Sequence, residues 1–291
     1  MDCAAAPATP VVSVVTVTLN AGADLLATAR TVDEQDYPAF EHLVKDGGST
    51  DGSVEHLVCA PYRRVVRAPD GGIFPAMNQA LTECRGRYVL FLNAGDGLAG
   101  PGVLRAVADQ AAAADWPEVI YTHFLNQRYA LQIEYPPALN RAFLYRLSVV
   151  HQACYIRRDC FERYGRFDAG QYPILADGDL LLRLLIRHRA RAVLCPMAGC
   201  YYKGEGASTQ PSRQRAKYRE EDRLRATYFT RWERWLWGTV HRLMGGRWRA
   251  ALLHRYPQGP LQSLYYGLWR RARKRVWLRA ARSPRGAAAP H

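Results

Sequence analysis

One short stretch constrains this chain more than any other: Tyr88-Val89-Leu90-Phe91-Leu92-Asn93-Ala94-Gly95-Asp96-Gly97. Apolar and aromatic residues run without a break and stop at a polar turn carrying one carboxylate. An unbroken apolar run of this length, closed by Asn and Gly, predicts a strand buried on both faces. Open α/β sheets built from such strands bind ligands just beyond the strands' carboxyl ends. Asp96 would then stand at the mouth of a cleft, as a natural ligand for a hard cation carrying phosphates. Taken alone, the segment fits an ordinary Asn-Ala-Gly-Asp turn equally well, because Gly and Asn favour turns.

The chain before it supplies the context. Residues 11–20 are β-branched almost throughout and end at Asn20-Ala21-Gly22, which predicts a first buried strand. Residues 24–36 have helical spacing, with Leu25, Ala29 and Val32 on one side and Tyr37-Pro38 as the stop. Residues 42–45 read as a second strand running into a Gly-rich loop, residues 46–53, whose Ser, Thr and Asp can cap a following helix. Residues 63–67 read as a third strand, and a helix begins at Pro75 after the turn Asp70-Gly71-Gly72-Ile73. This alternation predicts a mostly parallel sheet with helices on both faces. No Gly-x-Gly-x-x-Gly follows the first strand, which argues against a dinucleotide fold, and the absence of Gly-Lys-Ser/Thr excludes a P-loop.

Four motifs occur in a telling order. They are Asp46-Gly47-Gly48-Ser49-Thr50-Asp51-Gly52-Ser53, Asp70-Gly71-Gly72-Ile73-Phe74-Pro75-Ala76-Met77-Asn78, Phe91-Leu92-Asn93-Ala94-Gly95-Asp96 and Asp177-Gly178-Asp179-Leu180-Leu181-Leu182-Arg183. Together they resemble the inverting family 2 glycosyltransferases of the GT-A fold over roughly residues 11–210. With His151-Gln152 they are similar to the subgroup that builds bacterial exopolysaccharide and lipopolysaccharide. The resemblance implies an α/β nucleotide-diphosphate-sugar-binding fold. It also implies inverting transfer of a sugar from a UDP- or GDP-type donor to a hydroxyl of a lipid-linked glycan, with Mn²⁺ or Mg²⁺ as cofactor.

The same resemblance distributes roles. Thr18, Leu19 and Asn20 would face the base and ribose, and Asp46 would accept a hydrogen bond from a uracil-type imide. Asp70, Gly72, Asn78 and Asn93 would border the ribose and pyrophosphate. Asp46 also reads as a turn or cap aspartate, and Asn78 as a helix cap. Asp96 would hold the metal, although the family's Asp-x-Asp is here reduced to Asn93-Ala94-Gly95-Asp96. Asp177 would be the general base, with Asp179 as runner-up, while both can cap the helix that follows. His151, Gln152 and Gly206 would contact acceptor or donor, Gly206 from a loop able to close over the donor.

Charge separates the last third from the rest. Residues 1–200 carry 19 Lys/Arg and 21 Asp/Glu, whereas residues 201–291 carry 21 and 5. Arg and Trp at helical spacing in the second segment predict a basic amphipathic extension over residues 211–285. Such helices suit an anionic membrane surface, with nucleic-acid binding and plain packing as the alternatives. Nucleic acid is not expected, since no recognised binding module is present. Residues 1–10 and 286–291 are expected to be disordered. Seven cysteines without a Cys-x-x-Cys pair, together with no leader or membrane-spanning stretch, suggest reduced thiols and a cytoplasmic, peripherally membrane-associated protein. A competing reading is a catalytically weak nucleotide-sugar-binding scaffold recruited to membranes by its tail.

Overall fold

The computed structural model describes residues 9–127, 131–146, 149–203 and 211–243. The first half follows the sequence pattern closely: β1 (Val12–Thr18), α1 (Ala23–Asp33), β2 (Phe40–Asp46), β3 (Arg63–Arg67), α2 (Ile73–Ala80) and β4 (Tyr88–Phe91). Every residue of β1, β2 and β4 is buried, as expected of strands covered on both faces. Leu25, Ala29 and Val32 form the buried face of α1, joined by Thr28.

One expected helix is missing. Between β2 and β3 the chain makes turns, because Asp51 accepts hydrogen bonds from the Ser53 amide and hydroxyl and Gly52 sits at φ +75°. Both features compete with helical backbone. The same connection carries Cys59, which is disulfide-bonded, against the expectation of reduced thiols. Cys84, Cys154, Cys160, Cys195 and Cys200 are free and buried, and burial raises each thiol's pKa away from the reactive thiolate.

The second half comprises β5 (Gly97–Leu98), α3 (Val103–Ala113), β6 (Val119–Asn126), β7 (Leu131–Ile133), α4 (Arg141–Arg146), β8 (Cys154–Arg157), α5 (Asp159–Arg163), α6 (Ala176–Leu182) and β9 (Ala192–Tyr202). α7 (Gln214–Tyr228) and α8 (Arg231–Leu243) follow. The described strands form one sheet in the order β3-β2-β1-β4-β8-β6-β9-β5, with β7 on β6. Strands β3, β2, β1 and β4 are parallel, whereas β8 runs antiparallel to both β4 and β6. The parallel character expected of the whole sheet therefore belongs to its first half, and the second half is mixed.

That topology forces the sheet to curl. β5 pairs with β9, four strand positions from β4, roughly 19 Å across a flat sheet at about 4.8 Å per strand. The six residue-to-residue steps from Phe91 to Gly97 would have to be almost fully extended to cover that span. They are not extended, because the Asp96 amide donates back to the Asn93 carbonyl at 3.0 Å and closes a turn. The curl brings the ends of β4 and β9 together over the cleft.

The boundary expected at residues 210 and 211 does not coincide with a break in packing. Leu224 and Phe229 belong to the main hydrophobic core. The Glu220 carboxylate accepts from the amides of Ile174 and Leu175 at 3.0 and 2.9 Å, and the Arg141 guanidinium pairs with Glu233. On α8, Trp232 and Trp235 are 63% and 56% exposed and stack on each other at 4.7 Å. Residues 244–285, with Trp248, Trp269 and Trp277, lie outside the described residues, as do the loop holding Gly206 and the segments 1–8 and 286–291.

Candidate active site

A cleft of about 830 Å³ opens at the carboxyl ends of β1 and β4. Its walls come from the end of β1, the start of α2, the turn after β4, the residues before α6 and the face of α7. Asp96 and Asp177, 81 residues apart in sequence, both line it.

Asp96 is almost completely buried. Its Oδ2 accepts from Gln152 Nε2 at 2.7 Å and its Oδ1 from the Lys203 amide at 3.0 Å. Burial raises its pKa, and the Lys203 and Gln152 hydrogen bonds counteract this in part. The turn that presents it is held by α1, where Thr28 Oγ1 accepts from the Gly95 amide at 2.9 Å and donates to the Asp96 carbonyl at 2.6 Å. Gly95 has φ +97°, and a Cβ there would lie 3.3 Å from Asp24 Oδ2. A second carboxylate at position 95 is thus disfavoured by both backbone conformation and space. Asp24 instead supplies negative charge nearby, paired with Lys203 Nζ at 2.7 Å.

Next to Asp96, Asn93 Oδ1 is buried with no donor aimed at it among the described residues. A desolvated carboxylate beside an orphan carbonyl oxygen is a hard-oxygen donor set, which fits Mg²⁺ or Mn²⁺. No group of three or more His, Cys, Asp and Glu side chains clusters for a metal among the described residues.

Asn93 also starts a chain of hydrogen bonds. Its Nδ2 donates to His151 Nε2 at 3.1 Å, and His151 Nδ1 donates to Asp177 Oδ2 at 2.9 Å. This pattern corresponds to a neutral imidazole protonated on Nδ1. Asp177 Oδ1 accepts from the Gly178 amide at 2.8 Å at the start of α6, and the side chain keeps 23% exposure, open to a ligand. Asp179 points elsewhere and does not line the cleft. Its carboxylate accepts from the Tyr228 hydroxyl at 2.6 Å and pairs with Arg183 at 3.1 Å. Burial raises its pKa against those two partners.

Among the other residues singled out by motif, Thr18, Leu19, Asp70 and Gly72 line the cleft, Asp70 held by Lys45 at 3.2 Å. Asp46 does not reach it. The carboxylate is fully buried and accepts from the Gly48 and Ser49 amides, the Ser49 hydroxyl and Arg67. Burial alone would raise its pKa, and those bonds outweigh burial to hold it low. Asn20 clamps the loop instead, donating its amide to Ser49 and accepting from the Thr50 amide. Asn78 bonds both the carbonyl and the amide of Phe167, at 2.8 and 3.1 Å.

The motifs missed Asp24 and Thr28, whose signal was their four-residue spacing on α1, and Glu220, hidden in a basic segment. They also missed Arg213, Lys217 and Arg225, which line the cleft from α7 and the turn before it.

Residues 13–164 match the family described as glycosyl transferase family 2. The chain belongs to that family. It is 29% identical over 209 residues to an uncharacterized glycosyltransferase of Mycobacterium tuberculosis, covering 70% of this chain and 79% of that protein. A PGL/p-HBAD biosynthesis glycosyltransferase of Mycobacterium bovis is 30% identical over 181 residues, covering 60% and 70%. Among solved structures, S. aureus TarS 1–349 in complex with UDP-GlcNAc superposes with a TM-score of 0.54 at 21% identity. That match spans 68% of this chain and 60% of TarS 1–349, less than two thirds of its length. The mannosyltransferase PcManGT of Pyrobaculum calidifontis, in complex with GDP-Man and Mn²⁺, gives 0.53 at 19% identity over 95% and 88% of the two chains. The fold is of GT-A type, and the chain is a glycosyltransferase.

Proposed function

We propose that this glycosyltransferase moves a sugar, with inversion, from a nucleotide-diphosphate-sugar to a hydroxyl of a lipid-linked glycan in bacterial surface polysaccharide or glycolipid synthesis. The observation that carries the reading is the convergence of Asp96 and Asp177 on one cleft, bridged by Asn93 and His151. The complexes of TarS with UDP-GlcNAc and PcManGT with GDP-Man and Mn²⁺ favour a nucleotide-sugar donor. A relative named for teichuronic acid biosynthesis in Bacillus subtilis, 34% identical over 92 residues, favours a surface glycan.

Thr18, Leu19, Asp70 and Gly72 would hold the nucleotide end. Asp177 would take the acceptor's hydroxyl proton as that oxygen attacks the anomeric carbon and the bond to the diphosphate breaks. His151 keeps Asp177 turned into the cleft and leaves lone pairs on both carboxylate oxygens for that proton. Asp96, with the Asn93 carbonyl beside it, would hold Mg²⁺ or Mn²⁺, which when bound neutralises charge on the departing diphosphate. The reacting unit extends through α7, because Glu220 anchors the segment that carries Asp177. Exposed Trp232 and Trp235, next to Arg231, support peripheral contact with the inner face of the plasma membrane.

The reading is tested by Mn²⁺-dependent hydrolysis of nucleotide-sugars. Asp177→Asn is expected to lower kcat by roughly 10²- to 10⁴-fold with donor binding retained, and Asp96→Ala to abolish the metal response. The single carboxylate of the metal motif favours a second reading, a nucleotide-sugar-binding scaffold. Tight donor binding with no turnover in the presence of Mn²⁺ and lipid-linked acceptors would establish that alternative.

A further inference from the structure

A cation lies across the turn that carries Asp96. Strand β9 ends at Tyr202, which lines the cleft, and Lys203 follows it. The Lys203 amide is fixed on Asp96 Oδ1 at 3.0 Å, so this side chain is rooted at the buried carboxylate. Its stem passes close to Gly95, where an added Cβ would lie 3.2 Å from Lys203 Cδ. At the far end the ammonium donates to both oxygens of Asp24, at 2.9 and 2.7 Å.

That ion pair is easily exchanged. Its two side chains are 39% and 43% exposed, and a pair so open to water stabilises the fold little. Asp24 lies in the first turn of α1, where the amides at the helix start compensate a carboxylate that has lost its partner. The charge of lysine rides on a flexible four-carbon stem, so the ammonium can leave Asp24 while the backbone stays on Asp96. A diphosphate presents more charge and more acceptor oxygens than one carboxylate, and its charge-assisted bonds to an ammonium are correspondingly strong.

We propose that Lys203 contacts the diphosphate of the donor and is held in reserve on Asp24 until the donor enters. The inference rests on the nucleotide-diphosphate-sugar reading above. As the bond between the anomeric carbon and the diphosphate oxygen breaks, its electron pair stays on the diphosphate. The Lys203 ammonium, moved from Asp24 to a phosphate oxygen, offsets that charge. The single carboxylate of the turn fits this division of labour, because a cation of the chain itself meets part of the leaving group's charge.

Calorimetric titration of the full chain in EDTA tests this with UDP, GDP, UMP, GMP and inorganic diphosphate. The better bound of UDP and GDP is expected to exceed its monophosphate by about tenfold, and Lys203→Met to remove most of that preference with the melting temperature retained. Asp24→Asn is expected to tighten diphosphate binding by about threefold, because the ammonium no longer has a partner to leave. In the Lys203→Met background that gain is expected to vanish. An equal gain in both backgrounds reports only relief of repulsion by Asp24 and overturns the handover. A diphosphate preference that survives Lys203→Met overturns the contact, as does the absence of all diphosphate binding in EDTA. A chain that binds neither UDP nor GDP, even with Mn²⁺, yet loses its inorganic diphosphate in Lys203→Met supports the contact and sinks the donor reading instead.

Discussion

The parallel half of the sheet and the mixed half use their polar side chains in opposite ways. In the parallel half, Asp46, Asn20 and Asn78 are occupied by backbone: Asp46 organises its own loop, Asn20 clamps it, and Asn78 staples α2 to Phe167. Where the two halves meet, Asn93 from the end of β4 joins His151 and Asp177 of the mixed half, and all three still face an open cleft. A motif residue serves a ligand only with the lone pairs that the fold leaves it. Asp46, Asn20 and Asn78 spend their hydrogen bonds on the scaffold, whereas Thr18 and Asp70 of the same half line the cleft.

The sharpest way to break this contrast is at Glu220, a residue outside the cleft that holds the segment leading into Asp177. One oxygen, Oε2, accepts from both the Ile174 and Leu175 amides, so a Gln side chain can replace it and an Ala cannot. Glu220→Ala is expected to lower kcat on the order of 10- to 100-fold with donor KM little changed, and Glu220→Gln to restore most of the rate. An Ala variant as fast as wild type would show that α7 leaves Asp177 alone.

The parallel half predicts an acid sensitivity unconnected with catalysis. His42 is fully buried, with Arg63 Nε donating to its Nδ1 at 3.1 Å and Thr16 Oγ1 within 3.0 Å of its Nε2. Burial first, and Arg63 second, push its pKa down from 6.5 to about 3, so the folded chain holds the ring neutral. The unfolded chain takes up a proton below pH 6.5, so this contribution is complete above that pH and erodes as pH falls towards 3. Urea titrations should lose about 2 kcal/mol between pH 6.5 and 5 from this group, a slope that His42→Gln flattens. An unchanged slope in the variant would show that other groups set it.

The smallest effect separates staple from ligand contact at Asn78. Asn78→Ala should cost about 1–2 kcal/mol of stability through its two lost bonds to Phe167, while the thermal shift produced by a nucleotide-sugar stays the same. Lost nucleotide response at unchanged stability would return Asn78 to the donor site.

Strand β1, helix α1 and strand β4 were legible because their periodicity depends on neighbours in sequence, and long apolar runs have few other uses. The turn at Asp96 was legible as a turn, and the family motifs gave it a role. The single carboxylate there had looked like an erosion of the motif. In the structure, Gly95 has a left-handed backbone crowded against Asp24, so the missing carboxylate answers to a steric requirement. The boundary at residue 210 was drawn from charge composition, which reports the exposed faces of α7 and α8 and is blind to Leu224, Phe229 and Glu220 on the buried side.

The sequence by itself determined the strands of the first half, their parallel character and the family motifs. Only the tertiary structure decided which polar residues remain available, that α7 is part of the site, and that His151 bridges Asn93 to Asp177. Local patterns follow from backbone sterics and the period of burial, both properties of adjacent residues. Hydrogen-bond saturation and cleft lining depend on groups that meet only when the curled sheet closes, so no window of sequence contains them.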